Sequence, residues 1–265
     1  MSALKVGVQM YTLREETAKD FVGALRKVAA EGFAGVEFAG YGGMQADELK
    51  ALLDELGLVS IASHVGIGRL RDALDEEIAF NKSIGSQYII CPGLGKEYRD
   101  SEQAWKNTFA LLEEIGRKCV EQGIGFGYHN HSFEFDEKVN GATAFDGLFG
   151  TASADAVKVE LDACWAYVAG YDPVAYLDKY NGRVPLVHFK DVRRTEEDKW
   201  LTVELGTGDV DLNAIAEASA AAGVEWLIYE QDNTQNPPFV ALANSMRWIK
   251  ENALDQGKRV GLTGG

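Results

Sequence analysis

Residues 123–131 read G-I-G-F-G-Y-H-N-H, and the interpretation of this stretch decides the fold. A glycine able to end a helix leads into a short apolar run, which finishes in two imidazoles and a carboxamide. If residues 124–128 form a buried strand, His129, Asn130 and His131 emerge together at its C-terminal end, where parallel α/β folds collect their chemistry. Three later apolar runs end the same way: V-E-L-D at Asp162, V-H-F at His188 and I-Y-E at Glu230.

Working outward, the same strand-then-helix phase recurs along the chain. Apolar, β-rich runs predict strands over 4–11, 34–38, 58–63, 87–91, 157–161, 184–189 and 224–229. Helical spacing predicts helices over 17–30, 47–56, 70–84, 142–149, 173–180, 212–222 and 239–250. A longer helix runs to Gln122 from a cap at Ser101 or Asp100. Glycines just past several helices fit left-handed caps. Eight such units in 265 residues match the arithmetic of one closed (β/α)8 TIM barrel, whose typical size is roughly 250 residues. An open doubly wound sheet is the alternative, weakened because no G-x-G-x-x-G turn follows the first strand. A single domain over 1–265 is expected, with 256–265 as a dispensable tail.

The formal charge of −15 repels phosphate backbones and anionic lipid, which argues against nucleic-acid and membrane partners and for a small neutral or metal-chelating substrate. Cys91, Cys119 and Cys164 are odd in number, widely spaced and without a C-x-x-C pair, so neither a disulfide framework nor a zinc ribbon is indicated. With no basic-then-apolar leader and no run long enough to span a bilayer, the expectation is a cytoplasmic protein in a reducing compartment. The sequence leaves homo-oligomerisation open.

In a barrel the strand ends share one mouth, so they form a predicted site inventory: Gln9, Glu37, His64, His129–His131, Glu160, Asp162, His188, Lys190, Glu230 and Asp232. Buried charges are unfavourable by several kcal/mol unless paired or bound to a cation, so this cluster is expected to hold a metal, do acid–base work, or both. His129, Asp162, His188 and Glu230 supply two neutral nitrogens and two carboxylates from strands five to eight. That mixed set suits one divalent ion, Mn²⁺, Co²⁺, Zn²⁺ or Fe²⁺, better than all-oxygen Ca²⁺, and Mg²⁺ fits less well. His131 or Asn130 could replace His129 as the strand-five ligand or support it from behind; His129 is preferred because it sits nearer the rigid strand.

Each residue also has a plainer explanation. His188 could be a hydrogen-bonded core histidine, Glu230 could simply pair with Lys190, and Asp162 could cap the next turn. Trp165 and Tyr167 either wall a pocket and stack on a sugar face or pack as core. Arg194 is kept as a substrate-contact candidate with Gln9, Glu37, His64 and Trp165, although its charged run 193–199 reads best as a solvated loop. The L-G-T-G-D-V-D-L run near Gly206 lacks a lysine after its glycines and carries two aspartates, so a turn plus helix cap explains it better than a phosphate cradle.

With these residues in view, the chain resembles the sugar phosphate isomerase/epimerase family of xylose-isomerase-like barrels, whose members include ketose 3-epimerases, hydroxypyruvate isomerase and inosose dehydratase. The resemblance spans nearly the whole chain through G-V-Q-M-Y-T-L-R, G-V-E-F, Y-H-N-H-S-F-E-F, E-L-D-A-C-W, H-F-K-D and Y-E-Q-D in order. It implies a divalent metal, often Mn²⁺, with Asp162, His188 and Glu230 matching three family ligands. In the epimerases the strand-five ligand is a glutamate that works with the last one on opposite faces of the substrate. Here His129 takes its place, which puts the symmetric 3-epimerase mechanism in doubt.

What survives is a metal-stabilised enediolate, formed when Glu230 removes a proton and Lys190, His131 or His64 assists. The first expectation is therefore an isomerase or epimerase of a keto sugar; the second is a lyase on a keto sugar, keto-glycoside or keto-inositol. A nuclease is disfavoured by the acidic charge. A non-catalytic sugar-binding barrel is disfavoured by the intact Asp162, His188 and Glu230.

Overall fold

The computed structural model describes residues 4–254 and 260–261. Eight parallel strands carry the chain in order: Leu4–Gln9, Gly35–Phe38, Val59–His64, Tyr88–Cys91, Gly125–His129, Lys158–Asp162, Leu186–Phe189 and Trp226–Tyr229. Each pairs with the next, and the eighth pairs with the first through Lys5↔Trp226 to Val8↔Tyr229, so the sheet closes. That closure rules out the open doubly wound alternative. The tail expected over 256–265 lies outside the described residues except for Val260–Gly261, which pair with Leu4 and Lys5.

Two apolar layers hold the barrel. Outward strand residues pack against the helices, with Val6, Val36, Ile89, Phe126, Val159, Val187 and Tyr229 buried there. Inside the ring lies a smaller plug of Ile61, Ala62, Ile90, Leu186, Trp226 and Ile228. Because side chains alternate along a strand, inward positions above this plug must be filled by whatever the strand ends supply. Strand five is thinned at its inward positions. A Cβ on Gly125 would meet the Tyr88 ring at 2.4 Å, and one on Gly127 would meet Ile90 Cδ1 at 2.8 Å. The next inward position is His129.

Most helices match the expected spans within a few residues, and Ser101 caps Glu102–Glu121 by accepting from the Ala104 N–H at 3.1 Å. Three differences have local causes. The helix expected over 17–30 divides into Arg14–Thr17 and Phe21–Glu31, because Asp20 stops the first and caps the second through the Gly23 N–H. The charged run 193–199 is not a plain loop. Asp191–Arg194 pairs antiparallel with Trp200–Val203, and the polar residues between them form the turn. A further short helix, Ala163–Val168, starts at Asp162, whose Oδ1 accepts from the Trp165 N–H at 2.8 Å.

Candidate active site

Above the apolar plug the ionisable strand ends meet in two layers. The upper one contains His129, Asp162, His188 and Glu230. One ligand atom from each lies within 4.8 Å of the others, and all four residues are buried. Nδ1 of His188 is 2.7 Å from Glu230 Oε2, and Nε2 of His129 is 3.8 Å from Asp162 Oδ2. Lys190, one inward step beyond His188, places Nζ 2.7 Å from Glu230, 3.0 Å from Asp162 and 3.2 Å from Asp232.

The lower layer is Gln9, Glu37, His64 and Glu160. Glu37 Oε2 accepts from Gln9 Nε2 at 2.9 Å and lies 2.7 Å from His188 Nε2. Nε2 of His64 sits 2.8 Å from Glu160 and 3.3 Å from Glu37. His129 Nδ1 is 3.2 Å from Glu160. The two inner imidazoles therefore span both layers, each turning one ring nitrogen up and one down.

Burial and neighbouring charge set the protonation of this cluster. Burial pushes Glu230 up, but Lys190 and His188 outweigh it and hold its carboxyl well below the ordinary range. Burial opposes a charge on His188, yet Glu160, Glu230 and Glu37 raise it well above the usual imidazole value. His64, opposed by burial and favoured by Glu37 and Glu160, is raised to about 10. Burial, reinforced by His188 and His131, drives His129 well below its ordinary value, so its ring is neutral. Burial, followed by Lys190, lowers His131 to about 4.

The donor set fits a divalent cation. A neutral imidazole and two carboxylates point at one spot beside a second imidazole, and Asp162 Oδ2 is buried without a hydrogen bond although the Lys190 ammonium stands 3.0 Å away. Asp162 thus combines the two alternatives weighed for it, capping a helix with one oxygen and facing the cluster with the other. Glu230 also combines them, since it pairs with Lys190 inside the same cluster.

The remaining candidates lie around this centre. The His131 ring is 5.1 Å from the His129 ring and stacks on Phe133 and Trp165. The Lys190 ammonium lies over Trp165, 5.4 Å from its ring. Both His131 Nδ1 and Trp165 Nε1 are buried without a partner. Tyr167 packs edge-on against Trp200 of the hairpin. Arg194 is on that hairpin, bound to Asp198 at 2.6 Å and exposed; it is not part of the buried cluster. Cys91, Cys119 and Cys164 are buried and free.

Two residues escaped sequence reasoning. Glu160 is a strand-end candidate to which the sequence assigns no role, although E-L-D spacing puts it on the same face as Asp162. Glu134 is buried behind the rim, accepting from Tyr128 Oη at 2.7 Å and from the His131 N–H at 2.8 Å. Its place in the N-H-S-F-E segment was the available signal.

The chain is a closed parallel (β/α)8 barrel whose rim brings imidazoles and carboxylates from neighbouring strands together as a candidate cation site. The family model for the xylose isomerase-like TIM barrel matches residues 25–252, and the chain belongs to that family. The inosose dehydratase of Lacticaseibacillus casei is 27% identical over 167 residues, covering 56% of this chain and 55% of the relative. The chain thus spans about half the length of that curated relative. The rhizopine catabolism protein MocC of Rhizobium meliloti is 24% identical over 280 residues, covering 89% and 84%. The crystal structure of a sugar phosphate isomerase/epimerase from Parabacteroides distasonis superposes with a TM-score of 0.81 at 20% identity, covering 94% of this chain and 97% of the other. Among the described residues no helix is long and apolar enough to cross a membrane.

Proposed function

We propose that the chain is a divalent-metal-dependent enzyme that removes the proton beside the carbonyl of a keto sugar, keto-glycoside or keto-inositol and then expels a β-oxygen. The observation that carries this reading is the one-sided arrangement of acid–base groups. Glu230 is ionised and clamped by Lys190, and strand five contributes a neutral histidine where a second carboxylate base would be needed for transfer across both faces.

His129, Asp162, His188 and Glu230 would hold the ion, which supplies Lewis acidity toward a substrate carbonyl. Glu230 accepts the proton from the adjacent carbon, leaving the C–H electron pair to form the new double bond as the β C–O bond breaks. The departing oxygen takes that bond's electrons and a proton from the Lys190 ammonium, which Glu230, 2.7 Å away, then restores with the proton it removed, so water or an alcohol is lost. Lys190, fixed by three carboxylates, offers its positive charge near developing negative oxygen. Trp165 and His131 form an aromatic wall with unpartnered N–H or nitrogen atoms able to orient hydroxyls.

The inosose dehydratase relative supports elimination, and the sugar phosphate isomerase/epimerase likeness motivates the second reading, isomerisation or epimerisation after the same proton removal. Incubating Mn²⁺-loaded protein with keto sugars and keto-inositols in deuterated water separates them. An unsaturated product supports elimination. Deuterium in recovered, fully hydroxylated sugar supports the second reading. Neither outcome with any of these substrates and Mn²⁺, Co²⁺ or Zn²⁺ overturns both.

A further inference from the structure

The lower layer calls for its own account, because Glu37 and Glu160 are completely buried and each keeps an Oε1 without a hydrogen bond. Two unneutralised carboxylates this deep are strongly unfavourable unless nearby donors use them. Three imidazole nitrogens surround them: His188 Nε2 at 2.7 Å from Glu37, His129 Nδ1 at 3.2 Å from Glu160, and His64 Nε2 near both.

We infer that Glu37 and Glu160 are positioning residues. Glu37 takes the lower N–H of His188, 2.7 Å away, and Glu160, which stands 3.2 Å from His129 Nδ1 without a hydrogen bond to it in this structure, is the carboxylate placed to take that N–H when His129 ligates; together they fix which nitrogen faces the metal position. A neutral imidazole carries one proton. Without an ion, Nδ1 of His188 is hydrogen-bonded to Glu230 at 2.7 Å; with the Nε2 hydrogen held by Glu37, the Nδ1 proton is the one that ligation displaces, which leaves the Nδ1 lone pair for the ion. If Nδ1 of His129 gives its hydrogen to Glu160, the Nε2 lone pair faces Asp162. Ligating histidines are generally held by such a carboxylate behind them, and its loss weakens metal binding about 10–100-fold. His64 Nε2 bridges the two carboxylates, 2.8 Å from Glu160 and 3.3 Å from Glu37, while Gln9 donates to Glu37 from the side. This assigns Gln9, Glu37 and His64 to ligand support rather than to direct substrate contact.

The inference rests on the metal position proposed above, so the test separates the two. Mn²⁺ binding to the full chain is measured by equilibrium titration for wild type and for Asp162→Ala, Glu160→Gln, Glu160→Leu and Glu37→Gln. Thermal unfolding is followed in parallel, and ¹⁵N imidazole shifts are recorded with Zn²⁺. Wild type should bind one ion, and Asp162→Ala should abolish that binding. Glu160→Gln and Glu37→Gln should weaken it at least about tenfold while the proteins remain folded. Glu160→Leu should weaken it further. The shifts should report Nε2 ligation by His129 and Nδ1 ligation by His188 in wild type; of these two ligands, His129 alone should be disturbed in Glu160→Gln, alongside His64, which bonds Glu160 directly.

Wild type that binds no ion removes the metal reading itself. One ion bound with unchanged affinity in folded Glu160→Gln and Glu37→Gln overturns this inference and leaves that reading intact. Two ions in wild type, one of them lost in Glu160→Gln, also overturn it, because the lower layer would then itself be a cation site formed by His64, His129, Glu160 and His188.

Discussion

Replacing Asp191 tests how the barrel supports Lys190 from behind. Asp191 follows Lys190 on the opposite face of the chain and is buried. Its carboxylate receives three backbone N–H bonds from one loop: Gly206 at 3.0 Å and Gly208 at 2.8 Å on Oδ2, and Val210 at 3.2 Å on Oδ1. These amides are the ones that made the L-G-T-G-D-V-D-L run look like an anion cradle; the anion they hold is Asp191. Position 208 must be glycine for this approach, since a Cβ there would lie 2.2 Å from Asp191 Oδ1. A hydrogen bond to a charged group contributes about 1.5–3 kcal/mol, and a buried donor left unpaired is unfavourable by about 1–3 kcal/mol. In Asp191→Asn the oxygen can keep Gly206 and Gly208, but the new NH₂ faces the Val210 N–H. The expected loss is about 2–4 kcal/mol, and Asp191→Ala should lose more. Urea unfolding gives the global loss, and amide hydrogen exchange at 206, 208 and 210 reports the local one, expected to accelerate well over tenfold. A change within about 0.5 kcal/mol, the noise level of an ordinary surface substitution, with those amides still protected, would refute the reasoning.

Chelator treatment of metal-loaded protein should lower the thermal midpoint. An ion at a hundredfold excess over its dissociation constant contributes about 2.7 kcal/mol, or roughly 5–10 °C for a chain of this size, and calorimetry with and without EDTA checks this. Lys190→Met strips the ammonium from Asp162, Glu230 and Asp232, so metal-free protein should lose about 3–5 kcal/mol; Mn²⁺ should restore more stability to the variant than to wild type in denaturant titrations. Glu134 is pushed up to about 8 by burial, against the Tyr128 hydrogen bond that lowers it. The folded state therefore holds a proton that the unfolded carboxyl releases near its ordinary value. This contribution to stability is present below that value and fades as pH rises through about 8. Glu134→Gln should flatten the decline between about pH 5 and 8, and an unchanged slope in urea melts across that range would count against it.

The barrel was legible because its signals are local. Eight apolar runs separated by amphipathic helices need no tertiary information, and glycines after the helices punctuated them at the right phase. The rim was legible for the same reason: once a run is a parallel strand, its last inward residue must reach the mouth. The sequence does not show the hairpin because Asp191–Arg194 is short and mostly charged and Trp200–Val203 is only four residues long. Their pairing comes from contact across a turn where Asp198 adopts φ +64°, which single-strand periodicity does not report. The cap at Asp162 is legible in the sequence as a turn, but the helix it starts, Ala163–Val168, is six residues long and too short to show a helical period.

Depth was the other thing the sequence did not carry. Glu160 and Asp162 share a face, as do His188 and Lys190, so alternation says that all four point inward but not which pair sits lower. Barrel stagger decides that. In ladder register His129 pairs with Glu160 on the next strand, and Asp162 with His188 on the one after, and the tilt of the strands turns that register into a difference in height. The same stagger sets each imidazole between a carboxylate below and another above. A set of ligands on one level would leave the distal ring nitrogens facing hydrocarbon. Two staggered levels let buried carboxylates take those nitrogens, which is why a core this rich in charge can close over itself.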